Sequence, residues 1–249
     1  MSDARRIQLQ PAYVLHHRPY RDTSRILELF TRDHGRVSVF ARGARGSGKS
    51  GSSSLIPVLQ PFNRLLVSWS WRGEAGQLTG AEFDGAMQPL PPDRLVHGFY
   101  LNELLLKLFA RHDSHPDVFA LYSQTLDQLK REDPVRPLRL FEKRLLEALG
   151  YGLALERDVH DDVPIEPEAS YHYRLEQGPV RVHAVMEHVD WNGATVYSGA
   201  TLLSLAREEL SDAAVCADAR RLLRAALDRC LDGRELRSRQ VMLALRKGK

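Results

Sequence analysis

The spacing of the apolar residues changes once along this 249-residue chain, and that change constrains its architecture more than any motif does. Up to about residue 88 the period is two, as expected of strands with one buried face. Val37, Val39 and Ala41 alternate with Arg36, Ser38, Phe40 and Arg42, and Leu65, Val67, Trp69 and Trp71 alternate with Arg64, Leu66, Ser68 and Ser70. Residues 13–18 and 77–83 are shorter runs of the same kind. Residues 26–31 could form a helix capped by Asp22-Thr23-Ser24, but they run straight into the turn Asp33-His34-Gly35 and read as a strand. Trp69 and Trp71 fall in step with the apolar set and read mainly as core. Five short strands in about eighty residues predict a small closed barrel of the size of the five-stranded OB-fold.

After Pro89-Leu90-Pro91-Pro92 the period becomes helical. Leu101, Leu104, Leu105 and Leu108 form one stripe, and Val118, Tyr122, Leu126 and Leu129 a second. A third, Leu138, Phe141, Leu145 and Leu149, is stopped by Gly150 and Gly152. Residues 153–198 break the pattern, with a small hairpin expected from 171–175 and 180–186. Helix returns over 201–210 and again from Ser211 to Gly233. The expected class is α+β, with an OB-fold domain over 1–88 and a mainly helical domain over 89–249 that carries the hairpin insertion.

Charge is distributed unevenly. The whole chain carries only +3, yet residues 1–80 hold 12 Lys and Arg against 5 Asp and Glu. A positive front part points to a polyanionic partner. A second basic cluster, Arg234, Arg237, Arg239, Arg246, Lys247 and Lys249, lies near the end. No run approaches the ~18 apolar residues of a membrane-spanning helix, and residues 1–10 lack the apolar stretch of a secretory signal. Cys216 and Cys230 fall fourteen residues apart in one helical stretch, about 21 Å at 1.5 Å per residue, too far for a disulfide. A cytoplasmic protein is expected.

Two features compete for the chemistry. Residues 43–50, GARGSGKS, satisfy the P-loop pattern, and a nucleotide-hydrolysing enzyme is the reading they would support. That site needs a helix starting at Lys49-Ser50, whereas Gly51-Ser52-Ser53-Ser54 and Pro57 follow, so a basic loop is the better reading. The second feature is the face shared by Arg36, Phe40 and Arg42, continued by Arg45 and Lys49, with Phe62 and Arg64 on the next strand. Cations along a backbone with aromatics on the bases are how single strands are held. The plain alternative is a solvated charged face with Phe40 in the core, which would leave a protein-interaction adaptor. His183, Glu187 and His188 resemble an inverted zinc-protease motif with the wrong spacing, no Cys-x-x-Cys exists, and no metal, cofactor or catalytic residue is expected.

Short blocks in order along the chain resemble the bacterial RecO family of recombination mediators. They are Ala12-Tyr13-Val14-Leu15 through Arg18-Pro19, Thr23-Ser24, Phe30-Thr31, Gly35-Arg36-Val37, Ala41-Arg42-Gly43-Ala44-Arg45 and Leu59-Gln60-Pro61-Phe62. Further along come Tyr100-Leu101-Asn102-Glu103-Leu104, Arg139-Leu140-Phe141-Glu142 with Leu145-Leu146, Leu149-Gly150-Tyr151-Gly152 and Leu236-Arg237-Ser238-Arg239. The resemblance implies an OB-fold followed by helices, binding of single- and double-stranded DNA, and annealing of complementary strands. It also implies partnership with RecR, docking on the acidic C-terminal tail of single-strand-binding protein and, through these, RecA loading, in a bacterial, nucleoid-associated setting. Many members carry a four-cysteine zinc site after the Leu-Gly-Tyr-Gly block. Residues 153–198 hold no cysteine, so the chain resembles the zinc-free branch.

These expectations assign phosphate contacts to Arg36, Arg42, Arg45, Lys49 and Arg64, and stacking to Phe40 and Phe62. An acidic tail ending in an apolar residue needs a hydrophobic notch with an arginine at its lip. Arg139 beside Leu138, Phe141 and Leu145 is the expected notch, the alternative being a surface arginine paired with Glu142.

Overall fold

A computed structural model describes residues 6–20, 24–42, 55–72, 75–182 and 195–247. Five strands, β1 (Arg6–Tyr20), β2 (Ser24–Thr31), β3 (Gly35–Ala41), β4 (Leu65–Arg72) and β5 (Ala75–Phe83), close a barrel in the order β1-β2-β3-β5-β4. All neighbours are antiparallel except β3 and β5, which pair in parallel through Val39–Gly76 and Phe40–Gln77. The order and the one parallel pair are OB-like. β1 reaches both β2 and β4, and its pairing shifts between Ile7 and Gln10 and between Val14 and His16. Such bulges let one long strand bend around a closing barrel.

The alternating residues fill the interior as their period required. Val14, Leu27, Leu29, Val37, Val39, Leu65, Val67 and Trp69 are fully buried. Trp71 packs half-buried against that core. Gly76 clears the ring of Trp69, because a Cβ there would lie 2.8 Å from it.

By packing, the chain divides into Met1–Glu132 with Glu235–Lys249, and Asp133–Arg234. Residues 89–92 mark where strands give way to helices, but the first unit also takes α1 (Leu95–Leu108), α2 (Pro116–Arg131) and α6 (Arg237–Lys247). In that unit Tyr13 and Phe30, on the outer face of the barrel, pack against Phe119 and Tyr122 of α2 with ring centroids 5.0–6.1 Å apart. Asn102 of α1 donates to the Leu15 carbonyl at 2.8 Å and accepts from the Tyr122 hydroxyl. The Glu103 carboxylate accepts from the Arg237 and Ser238 amides and the Ser238 hydroxyl, capping α6. α6 was missing from the sequence reading because it buries little apolar surface of its own.

The second unit packs α3 (Val135–Ala148) against α5 (Ala213–Leu231), with α4 (Gly199–Arg207) and a sheet β7-β6-β8 built from β6 (Ser170–Arg174), β7 (Gly178–Arg181) and β8 (Thr195–Ser198). The expected hairpin is β6–β7. β8 adds a third strand that the sequence pattern did not show, because only four residues carry it. Gly150, in the left-handed region at φ 81°, ends α3. Beyond it Asp158, only 1% exposed, accepts from the amides of His160, Asp161 and Arg181 at 2.6–3.1 Å. Those bonds outweigh its burial and hold its carboxyl below the usual range. No helix among the described residues is long and apolar enough to cross a membrane.

Candidate nucleic-acid interface

The outer face of β1, β2 and β3 has two ends. At the end near the 31–35 turn, α1 and α2 cover it. At the opposite end Arg18, Tyr20 and Arg42 are exposed. Strand register places Arg18, Ile26 and Phe40 side by side across the three strands, with Tyr20 beside Ser24 two residues further along β1. The Tyr20 and Phe40 rings touch at 5.3 Å between centroids, tilted by 57°, and Tyr20 is 38% exposed. Arg18 and Arg42 are exposed on either side of this pair, with no ion pair among the described residues. Among the described residues the nearest acid on the same face, Glu28, is engaged by Arg36 and Arg111. The local field is therefore positive.

The sequence-derived set divides in the structure. Phe40 and Arg42 sit together at the open end. Arg36 shares their side of β3 but lies at the covered end, so its assignment to phosphate is corrected. Its Nη1 donates to the Leu106 and Phe109 carbonyls at 2.7 and 2.6 Å, its Nη2 lies 3.5 Å from Glu28, and its side chain is 12% exposed. Phe62 is also corrected. It is 7% exposed, at φ 71°, and packs edge-on against Phe99 at 5.0 Å, leaving no ring face for a base. Arg64 is exposed but tied to Asp84 at 2.6 Å, in a groove of about 490 Å³ with Arg32, Arg131, Asp127 and Glu132, whose charges nearly balance. Arg45 and Lys49, with the whole P-loop-like run 43–50, lie outside the described residues, as do His183, Glu187 and His188.

The sequence reading missed Arg18 and Tyr20. The signal was available: once β1 and β2 are paired as a hairpin across 21–23, register carries Arg18 onto Phe40's row.

In the second unit Leu138, Phe141 and Leu145 are 5%, 0% and 0% exposed and form the inner face of α3. Arg139 is 7% exposed and its Nη2 donates to Glu142 at 2.7 Å. The expected open notch is corrected accordingly: its apolar side is core and its arginine belongs to a buried ion pair. Among the described residues no cluster of three or more His, Cys, Asp or Glu is placed to hold a metal.

A closed five-stranded OB-like barrel continuing into helices places the chain in the class of small OB-like barrel proteins. Residues 6–85 match the family model described as Recombination protein O N terminal, and residues 90–240 the model described as Recombination protein O C terminal. Relatives named DNA repair protein RecO include one from Alkalilimnicola ehrlichii, 46% identical over 236 residues that cover 95% of this chain and 91% of the relative. Those from Ralstonia nicotianae (43%, covering 97% and 86%) and Aromatoleum aromaticum (42%, covering 98% and 99%) are similar over the same span. The chain belongs to the RecO family.

Proposed function

We propose that this chain is a non-enzymatic recombination mediator in DNA repair. It binds single- and double-stranded DNA through the open end of the barrel face and anneals complementary strands. With RecR it helps RecA onto DNA coated by single-strand-binding protein, whose acidic tail it also engages, in the bacterial cytoplasm at the nucleoid. The name DNA repair protein RecO, borne by its relatives, supports the setting. The observation that carries the DNA reading is the pair of exposed arginines, Arg18 and Arg42, beside the Tyr20 and Phe40 rings, where the nearest described carboxylate, Glu28, is held by Arg36 and Arg111. Screening two polyanionic strands on one cationic surface lowers the repulsion that opposes annealing.

Against a P-loop hydrolase stands the strand before GARGSGKS, β3, which belongs to a mainly antiparallel barrel rather than to a parallel sheet flanked by helices. The test is binding of a fluorescent single-stranded oligonucleotide at several salt concentrations. With about four phosphate contacts, from Arg18, Arg42, Arg45 and Lys49, log K against log salt has a slope of about −3 at ~0.7 per contact. A slope near zero replaces this reading with the adaptor. Saturable ATP binding lost in Lys49→Ala replaces it with the hydrolase.

A further inference from the structure

A groove of about 490 Å³ runs along α2 beside Arg32 and Arg64, and every residue lining it belongs to the first unit. We propose that this groove docks an extended peptide segment of a partner protein, one that carries an acidic and a basic side chain next to each other.

Three observations combine. The first is the state of the charges. Arg32 is tied to Asp33 at 2.9 Å, Arg64 to Asp84 at 2.6 Å, and Asp127 of α2 to Lys130 at 2.8 Å. A polyanion draws its affinity from a surplus of cations, and this groove has almost none.

The second is a pair of unused amides. Gln124 and Gln128 line the groove one turn apart on α2, and neither side chain is hydrogen-bonded to a described residue. At 1.5 Å per residue they are separated by about 6 Å along the helix. An extended chain repeats every two residues, or about 6.6 Å. A glutamine amide offers an acceptor and two donors. Each can therefore take the N–H and C=O of alternate residues in a strand laid along α2.

The third is the contrast between the groove's ends. Arg131 and Glu132 are exposed, opposite in charge, and in no ion pair among the described residues. Ala120, at the other end, lies eleven positions from Arg131. That is about 16 Å along the helix, the span of about five extended residues. A segment of this length meets a small apolar seat, two amides and a pair of opposite charges in turn. Main-chain bonds supply affinity, and the charged pair supplies register and choice. An all-acidic segment would satisfy Arg131 but set a carboxylate against Glu132.

This inference goes beyond the nucleic-acid reading and does not depend on it. Its test uses the full-length protein and a panel of end-blocked, fluorescein-labelled heptapeptides of Val and Thr. The peptides carry Glu-Lys, Lys-Glu, Glu-Glu or Lys-Lys at one terminus or the other, and binding is read by fluorescence anisotropy. A mixed Glu/Lys peptide binds saturably with Kd below about 1 mM, roughly 3- to 10-fold tighter than Glu-Glu or Lys-Lys. Gln124→Met and Gln128→Met, which keep side-chain length and helix propensity, each weaken it roughly 5- to 30-fold, the loss of two neutral hydrogen bonds, at unchanged melting temperature. Methylating alternate backbone nitrogens of the peptide abolishes binding in one phase and spares it in the other. Exchanging the charges, Arg131→Glu with Glu132→Arg, reverses the preference between Glu-Lys and Lys-Glu. No mixed peptide binding below about 1 mM, a preference for Glu-Glu, or wild-type binding by both methionine variants overturns the docking site. Direct displacement of the peptide by a single-stranded oligonucleotide, lost in Arg131→Gln, overturns it too and assigns the groove to nucleic acid.

Discussion

The two ends of the β1–β3 face carry the same kinds of side chain and put them to opposite use. Near the 31–35 turn, Tyr13 and Phe30 lie under α2, and Arg36 is bound to two carbonyls at the end of α1. At the far end, Tyr20, Phe40, Arg18 and Arg42 meet solvent. Gly35 explains how tightly the covered end is closed: a Cβ there would lie 1.9 Å from the Asp113 carbonyl oxygen, in a backbone conformation at φ 59° that other residues resist. An arginine's role here is set by what packs over its row, and neither residue type nor the side of the strand decides it.

That contrast between enclosed and open arginines is measurable. The largest effect belongs to Arg139, enclosed in the second unit. Arg139→Ala leaves Glu142 charged and buried, and costs about 3–5 kcal/mol in urea unfolding. The double variant Arg139→Met, Glu142→Leu recovers most of it. A loss under about 1 kcal/mol would mean water reaches the pair, and would reopen α3 as a surface site. Arg36→Ala follows, at about 2–3 kcal/mol, since it removes charge-assisted bonds to two carbonyls and leaves Glu28 held by Arg111 alone. If instead it changed the salt slope of DNA binding as Arg42→Ala does while melting like wild type, the distinction between the two ends would be wrong. Arg42→Ala is the smallest effect. Stability stays within about 0.5 kcal/mol, and the slope of log K against log salt flattens by about 0.7.

Much of the fold was legible because alternation is a direct record of a barrel's two faces. Val37, Val39 and Ala41 inside and Arg36, Phe40 and Arg42 outside are as the period required. What alternation leaves open is which stretch of an outer face a helix will cover, since that depends on residues seventy positions away, as Arg36 on Leu106 shows. Phe62 looked like a ligand-facing aromatic because, with Arg64, it was placed on the strand next to the basic face, whereas β4 begins only at Leu65. Its burial, its edge-on packing against Phe99 and the closeness of Gly98 to its ring show it to be core. Leu138, Phe141 and Leu145 were correctly read as one stripe, yet a stripe can line a groove or fill a core with the same spacing. Arg18 and Tyr20 were hidden for a simpler reason: their neighbours are across strands, not along one.

The Asp158 clamp has a consequence for the circumstances in which the second unit can form. One carboxylate gathers amides from three points of the chain, two beside it and one on β7. Such a fastening is made of hydrogen bonds to a single ionised carboxylate. Its vulnerability is acid. With the folded carboxyl held below its ordinary value, the stabilisation is complete above the usual carboxylate range and drains away as pH falls through the lowered one. The part of this segment's stability that rests on Asp158 thus answers to proton concentration, and only well below neutrality.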